Sequence, residues 1–391
     1  MSDHSLIRSR FVDVSAARLA LVHDWLNQIG GAEDVLETLA GMFAGAPIYT
    51  AIYWRDHMPS AYRDWDVRTT WMDHLPGIYR HHQPYLPLYA AAFAQLDLSD
   101  YDVVLSNKSG FCHGVRTGNA VHICYCLAPT RYVWDFDAYA VREALPGVLK
   151  VALRPLIARL KRWDYRAAQR VDHFVAISRE IQDRIRRFYR RESSIIHPPV
   201  DTHRFQPSNG RDDYYLIVSR LVPYKRIDLA VRAFNRLGLP LVIAGEGRDR
   251  EQLEALAGPT ITFLGYVPDE ELPVLFARCR AYVLPGREDF SIAPVQAQAA
   301  GRPVIAYGAG GALDTVVAGE TGVFFHEQTP EALAEAVRVC GPDAADPDAC
   351  RANADRFAVN VFEEKLGRFV RQKMRGGPPA LGSEEVSEAW N

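Results

Sequence analysis

No run of apolar residues in this chain approaches the ~18 that a bilayer-spanning helix needs, so any membrane contact must be peripheral. Cysteine is sparse. The six present (Cys112, Cys124, Cys126, Cys279, Cys340 and Cys350) include no Cys-x-x-Cys pair, which argues against a zinc ribbon or a dithiol redox site. Cys124 and Cys126 stand two apart in an apolar run and read as reduced thiols packed in a core. No apolar secretory segment opens the chain. Residues 1–17 are polar and mixed and read as a loose leader, so the expected location is the cytoplasm. Charge of one sign is also lacking: a net charge of −3 gives no global pull toward nucleic acid. No Asp-x-Asp pair sits in a strand-and-turn setting, so neither a divalent metal nor another cofactor is expected. Asp212-Asp213 reads as a solvated turn before a strand.

What is present is an ordinary globular composition, 48% hydrophobic and 24% charged, over 391 residues. That length exceeds one ordinary core and suits two domains. Short Val- and Ile-rich runs, apolar on both faces, occur at 19–22, 48–52, 102–105, 121–126 and 173–177, with helical stretches between them. This is the pattern of buried parallel strands covered by helices. The two prolines in His197-Pro-Pro-Val-Asp201 interrupt it. The rhythm then restarts, with strands expected at 214–218, 241–244, 260–264, 281–284 and 303–306. The expected fold is α/β: two Rossmann-like doubly wound domains, 18–197 and 198–355, facing across a cleft. A helix over 356–375 returns to the first domain, and a disordered tail follows over 376–391. A ligand is expected between the domains, at the strand C-terminal ends.

Charge is uneven along the chain. Residues 141–191 hold 14 Lys or Arg against 5 Asp or Glu. Within them, 148–160 interleaves Val, Leu and Ile with Lys150, Arg154 and Arg159, followed by Lys161 and Arg162. Two readings stand side by side: a basic amphipathic helix lying on an anionic bilayer, or a solvated helix packed on its own domain.

Three loops carry chemistry. Ser219-Arg220-Leu-Val-Pro-Tyr-Lys225 follows the first strand of the second half and precedes a helix. A guanidinium and an ammonium beside a helix N-terminus suit two phosphates, although alone the pattern fits surface cations better. Glu288-Asp-Phe290-Ser291-Ile292 leads into a helix carrying Gln296. Here Ser291 is expected as the helix cap, and Glu288 and Gln296 can hold sugar or ribose hydroxyls. Gly308-Ala-Gly310-Gly311 follows another strand, and Gly245-Glu246-Gly247 and Gly30-Gly31 follow two more. Each is weak alone; their recurrence at successive strand exits is the signal.

With these motifs in this order, the chain resembles the family 4 retaining glycosyltransferases of GT-B fold, most specifically over 214–322. Its first half is similar to bacterial O-antigen and exopolysaccharide mannosyltransferases through Val22-His23-Asp-Trp25, Gly30-Gly31-Ala-Glu33 and Tyr125-Cys-Leu-Ala-Pro-Thr-Arg131-Tyr-Val-Trp-Asp135. The resemblance implies a nucleotide-diphosphate sugar donor, with GDP-mannose first and UDP-sugars as the alternative. It implies a lipid-linked oligosaccharide acceptor of surface polysaccharide synthesis, at the inner face of the plasma membrane. Arg220 and Lys225 would grip the diphosphate, and Glu288 would contact the transferred sugar as binder and charge stabiliser, without metal. Gly30, Gly31, Ser219, Glu246, Phe290, Ser291, Ile292, Gln296, Gly310 and Gly311 would line the donor. His23, His113, Arg131 and Asp135 are expected on the acceptor side. Three positions depart from the family pattern: Gln296 replaces a Glu, Ser291 a Gly and Leu127 a His.

Rival readings are an NAD-dependent oxidoreductase, a nucleotide-sugar epimerase, and a nucleotide-sugar-binding protein without activity. The first lacks Gly-x-Gly-x-x-Gly after its opening strand. The second would release product without an acceptor. Gln296 and Leu127 suggest the third.

Overall fold

The computed structural model describes residues 17–142, 146–208, 210–341 and 345–376. The expected leader, apart from Ala17, and the expected tail beyond Gly376 lie outside the described residues.

Two parallel sheets are present. The first holds β1 (Leu19–His23), β2 (Ile48–Thr50), β3 (Val67–Thr69), β4 (Val103–Lys108), β5 (Val121–Cys126), β6 (His173–Ala176) and β7 (Ser193–Ile195), in the order β3-β2-β1-β4-β5-β6-β7. The second holds β8 (Tyr215–Val218), β9 (Leu241–Ala244), β10 (Ile261–Gly265), β11 (Tyr282–Leu284), β12 (Val304–Tyr307) and β13 (Gly322–Phe325), in the order β10-β9-β8-β11-β12-β13. Every residue of β4 and β5 is buried, as central strands sandwiched by helices require, and the polar end of β4 is satisfied by hydrogen bonds of Asn107 and Lys108. Both sheets start in the middle, wind outward, then jump back. The order therefore reverses between β1 and β4 and again between β8 and β11. Loops leaving the strands part at such points and open a crevice.

β3, β7 and β13 answer to no expected strand. Each lies at a sheet edge, where one flank is unpaired and the apolar demand is weaker.

The proline-rich connection is not slack. The Val200 amide donates to the Phe357 carbonyl at 2.9 Å, so the chain crosses between the halves twice at one place. His197 is fixed by Ile177 O, 2.9 Å from its Nδ1, and its ring stacks on Phe290 with centroids 5.6 Å apart. The helix Val359–Gly376 returns to the first sheet as expected: Phe362 packs edge-on against Tyr125 with centroids 5.6 Å apart. All six cysteines are buried and unbridged. Among the described residues, no helix is long and apolar enough to cross a membrane.

Candidate active site

The cationic loop leaves β8 and the Glu288 loop leaves its neighbour β11, so the topology alone makes them meet at the switch point of the second sheet. Lys225 Nζ lies 2.6 Å from Glu288 Oε1, and the two side chains are only 15% and 12% exposed. Arg220 reaches toward solvent from the same loop, and its Nη2 donates to Tyr224 Oη at 3.3 Å. Ser219 Oγ is spent locally on the Arg220 carbonyl. Glu246 stands exposed on the loop after β9 and contributes its carbonyl to the Leu221 amide at 2.8 Å.

The Gly308–Gly311 loop, after β12, lies against the same site. Gly311 N donates to Glu288 O at 2.8 Å. A Cβ at Gly310 would fall 2.3 Å from Glu288 O, and one at Gly311 2.3 Å from Phe290 Cα. These glycines let two backbones touch, and so they fix the height of the Glu288 carboxylate. The Phe290 side chain is core, stacked on His197. Gln296 is half-buried in the helix Ala293–Ala299, where its backbone amide donates to the Ile292 carbonyl at 3.1 Å. From the other half, the loop after β1 comes down over this turn: a Cβ on Gly31 would sit 3.2 Å from Ile292 Cδ1. Gly31 thus faces Ile292 across the crevice, and Gly30 before it holds the cap position of the helix Gly31–Met42.

Three expectations need correction. Ser291 does not cap the following helix. The cap position is Ile292 and has no side-chain bond, while Ser291 adopts φ 69°, the left-handed region. A serine occupies a turn whose backbone suits glycine, which is the physical content of its departure from the family pattern. His113 does not face an acceptor. Its ring has no exposed surface, with Nε2 3.5 Å from Asp164 Oδ1. Burial, then the Lys108 charge, hold this imidazole well below its ordinary pKa. His23 is likewise enclosed, with Nε2 3.3 Å from Glu33 Oε1 and Nδ1 3.3 Å from the Asn107 amide. It braces the helix Gly31–Met42 beneath the glycines.

Arg131 and Asp135 do reach the crevice, through partners the sequence did not announce. Arg131 pairs with Asp289, the residue after Glu288. Arg184 pairs with Asp135 and also meets Asp289 at 3.3 Å. Asp289 thus joins two arginines of the first half to the loop carrying Glu288, and its charge raises the Arg131 pKa further. Arg184 had no distinguishing signal in a helix crowded with arginine. Asp289 had one: a second acid directly after Glu288 on the same strand exit. Beneath Arg131 lies a buried pillar. Lys108 Nζ donates to Ala128 O at 3.1 Å and to Thr130 Oγ1 at 3.2 Å. Asp164 accepts from Trp134 Nε1 at 2.6 Å and from Tyr189 Oη at 2.8 Å.

Two family models match in tandem: Glycosyltransferase Family 4 over residues 29–204 and Glycosyl transferases group 1 over 200–357. The chain belongs to the family 4 glycosyltransferases. It is 34% identical over 170 residues to the GDP-mannose-dependent alpha-(1-6)-phosphatidylinositol monomannoside mannosyltransferase of Mycobacterium tuberculosis, covering 36% of this chain and 44% of that one. It is 30% identical over 227 residues to the D-inositol 3-phosphate glycosyltransferase of Streptomyces avermitilis, covering 49% and 48%. The chain thus spans about half the length of the curated relatives it matches. The fold aligns with Anabaena HepE in complex with UDP-glucose at a TM-score of 0.67, 17% identity, over 91% of this chain and all of HepE. It aligns with the sucrose-phosphate synthase of Thermosynechococcus elongatus at 0.66, 18% identity, over 92% of this chain and all of that one. Its two facing sheets are the GT-B arrangement.

Proposed function

We propose that this glycosyltransferase moves a hexosyl group, mannose from GDP-mannose in the first place, to a lipid-linked saccharide with retention at the anomeric carbon. The observation carrying the reading is the Lys225–Glu288 pair at 2.6 Å at the switch point of the second sheet, with Arg220 on the same loop. A departing nucleoside diphosphate needs positive charge fixed in advance, and Arg220 and Lys225 supply it. The acceptor hydroxyl oxygen bonds the anomeric carbon on the face from which the diphosphate oxygen leaves. The hydroxyl proton passes to that oxygen. Glu288 offsets the positive charge that builds on the sugar ring. Alignment of acceptor and donor by the two halves contributes the remaining acceleration.

Mannose is favoured by the GDP-mannose-dependent relatives. A UDP-sugar donor is the second reading, favoured by HepE, whose structures hold UDP and UDP-glucose. The lipid-linked acceptor and an inner-membrane location rest on the helix Gly147–Gln169, where Val148 is 85% and Val151 64% exposed beside Lys150 and Arg154. Such a helix can lie on an anionic bilayer.

Thermal denaturation across nucleotides and nucleotide sugars tests the donor, since a true ligand raises the melting temperature by mass action. Arg220→Ala and Lys225→Ala are expected to lose transfer while still folding, Arg220→Ala melting as wild type and Lys225→Ala a few degrees lower because Glu288 loses its partner. Wild-type turnover in either would remove the diphosphate assignment.

A further inference from the structure

A groove of about 520 Å3 runs between the first-half helix Gly147–Gln169 and the segment Trp134–Asp137. Its volume falls within the ~300–1,000 Å3 of ordinary small-molecule sites. Arg154, Ile157, Ala158 and Lys161 form one wall. They stand three, four and seven residues apart, so they share a helix face. The stripe continues into a second hollow of about 300 Å3, where Arg162 and Arg166 join Lys161 and Trp134.

The groove is cationic once its own pairs are removed. Asp135 is held by Arg184, and Asp137 by Lys150 at 2.9 Å. Among the described residues, no carboxylate comes within ion-pairing distance of Arg154, Lys161, Arg162 or Arg166. The opposite wall is rigid: Trp134 is stacked on Phe188 with centroids 4.9 Å apart and bonded through Nε1 to the buried Asp164. Lys161 Nζ lies 5.7 Å from the Trp134 ring centroid. Unpaired cations beside an aromatic wall suit a phosphate carrying an apolar or sugar substituent.

Position narrows the ligand further. At one end of the helix the exposed Val148 and Val151 offer a path for a hydrocarbon chain. On the other side, the turn carrying Trp134 also carries Arg131, which pairs with Asp289 beside Glu288, and Asp135, which is linked to Asp289 through Arg184. We propose that this groove binds the phosphate of the lipid-linked acceptor, with the lipid leaving past Val148 and the saccharide running along Arg131 toward Glu288. The inference rests on the transferase reading above and adds where its acceptor is held.

The probe is farnesyl diphosphate, a soluble polyisoprenyl diphosphate, titrated into the full-length protein, its Arg154→Gln/Lys161→Gln variant and its Arg220→Ala variant. Removing two groove cations is expected to weaken binding about tenfold or more, and Arg220→Ala to leave it unchanged. Wild-type binding by the double variant, or weakening by Arg220→Ala alone, overturns the proposal, because the probe then sits elsewhere. Flotation with phosphatidylcholine vesicles containing phosphatidylglycerol separates acceptor from bilayer headgroup. Loss of farnesyl diphosphate binding with flotation retained supports an acceptor subsite. Loss of flotation, with or without loss of the probe, makes the groove a membrane patch and overturns it. Failure of every nucleotide and nucleotide sugar to raise the melting temperature is a separate result: it sinks the transferase reading and leaves the groove titration to be read by itself.

Discussion

Glu288→Gln tests the centre of the site most directly, because it keeps the shape of the side chain and removes its charge. At 2.6 Å and with little solvent contact, Lys225 and Glu288 attract with about 6 kcal/mol gross at an effective dielectric near 20. Desolvation offsets most of this, and a charge-assisted hydrogen bond retains about 1.5–3 kcal/mol net. A diphosphate arriving at Lys225 must draw on that attraction. With glutamine in place, the competition is gone. GDP or UDP, whichever is the true nucleotide, should bind Glu288→Gln about tenfold or more tightly than wild type. Transfer should move the other way, falling about a hundredfold, since an amide cannot offset charge building on the sugar ring. Calorimetric titration measures the first effect, and sugar release into product measures the second. Weaker nucleotide binding in Glu288→Gln would refute the argument, for it would mean that Lys225 does not serve the phosphate. Wild-type turnover would refute the role given to the carboxylate.

Ser291→Gly should raise the melting temperature: a non-glycine residue in the left-handed region costs about 1–2 kcal/mol, against about 0.5–1 kcal/mol for the extra freedom of unfolded glycine; a lower melting temperature would mean the serine hydroxyl makes a bond that outweighs the strain. Arg131→Ala and Asp289→Ala should each lower kcat with little change in nucleotide affinity, and the double variant should lose little more than either single one, with a coupling of about 1.5–3 kcal/mol; additive losses would show that the pair does not act as a unit. Acid should destabilise the fold early: burial holds the His122 imidazole, beside Ser106 and near Arg170, down to about 3, and His113, between Asp164 and Lys108, well below its ordinary value. Both stay neutral in the folded chain while the unfolded chain gains protons below about pH 6.5, so stability present above that pH is lost as it falls, by about 2 kcal/mol for the pair between pH 6.5 and 5.5. Denaturant midpoints across that range measure it, and a flat profile would contradict the neutral assignment.

The sequence displays its interior better than its edges. β1, β4 and β5 are fully buried and show through their apolar runs at 19–22, 103–105 and 123–126. Val-Arg-Thr at β3 and Ser-Ser-Ile at β7 carry no such mark, because an outer strand needs a neighbour on one side only. The loops proposed to hold the donor were legible for a related reason. A cation or glycine at a strand exit is conspicuous, and parallel topology then brings adjacent exits together without further information. Histidines mislead by the same logic. His23 and His113 sit among functional-looking motifs, yet both are structural, and only burial distinguishes a bracing imidazole from a reacting one.

What pattern alone could not supply is how the two halves are tied, because that depends on residues about 50 to 160 positions apart. Arg131, Asp135, Arg184 and Asp289 are unremarkable singly, and they acquire meaning only when the crevice brings them together. Consecutive side chains on the loop after β11 then divide the work. Glu288 turns to Lys225 within its own half, and Asp289 turns to the arginines of the other. Any shift of the first half against the second must pull on Asp289 and therefore on its neighbour. That mechanical link is why loss of Arg131 is expected to reduce turnover without touching the nucleotide. Turnover per nucleotide-binding site in Arg131→Ala decides it, since a residue that only held the fold would lower the number of titratable sites and the turnover in the same proportion.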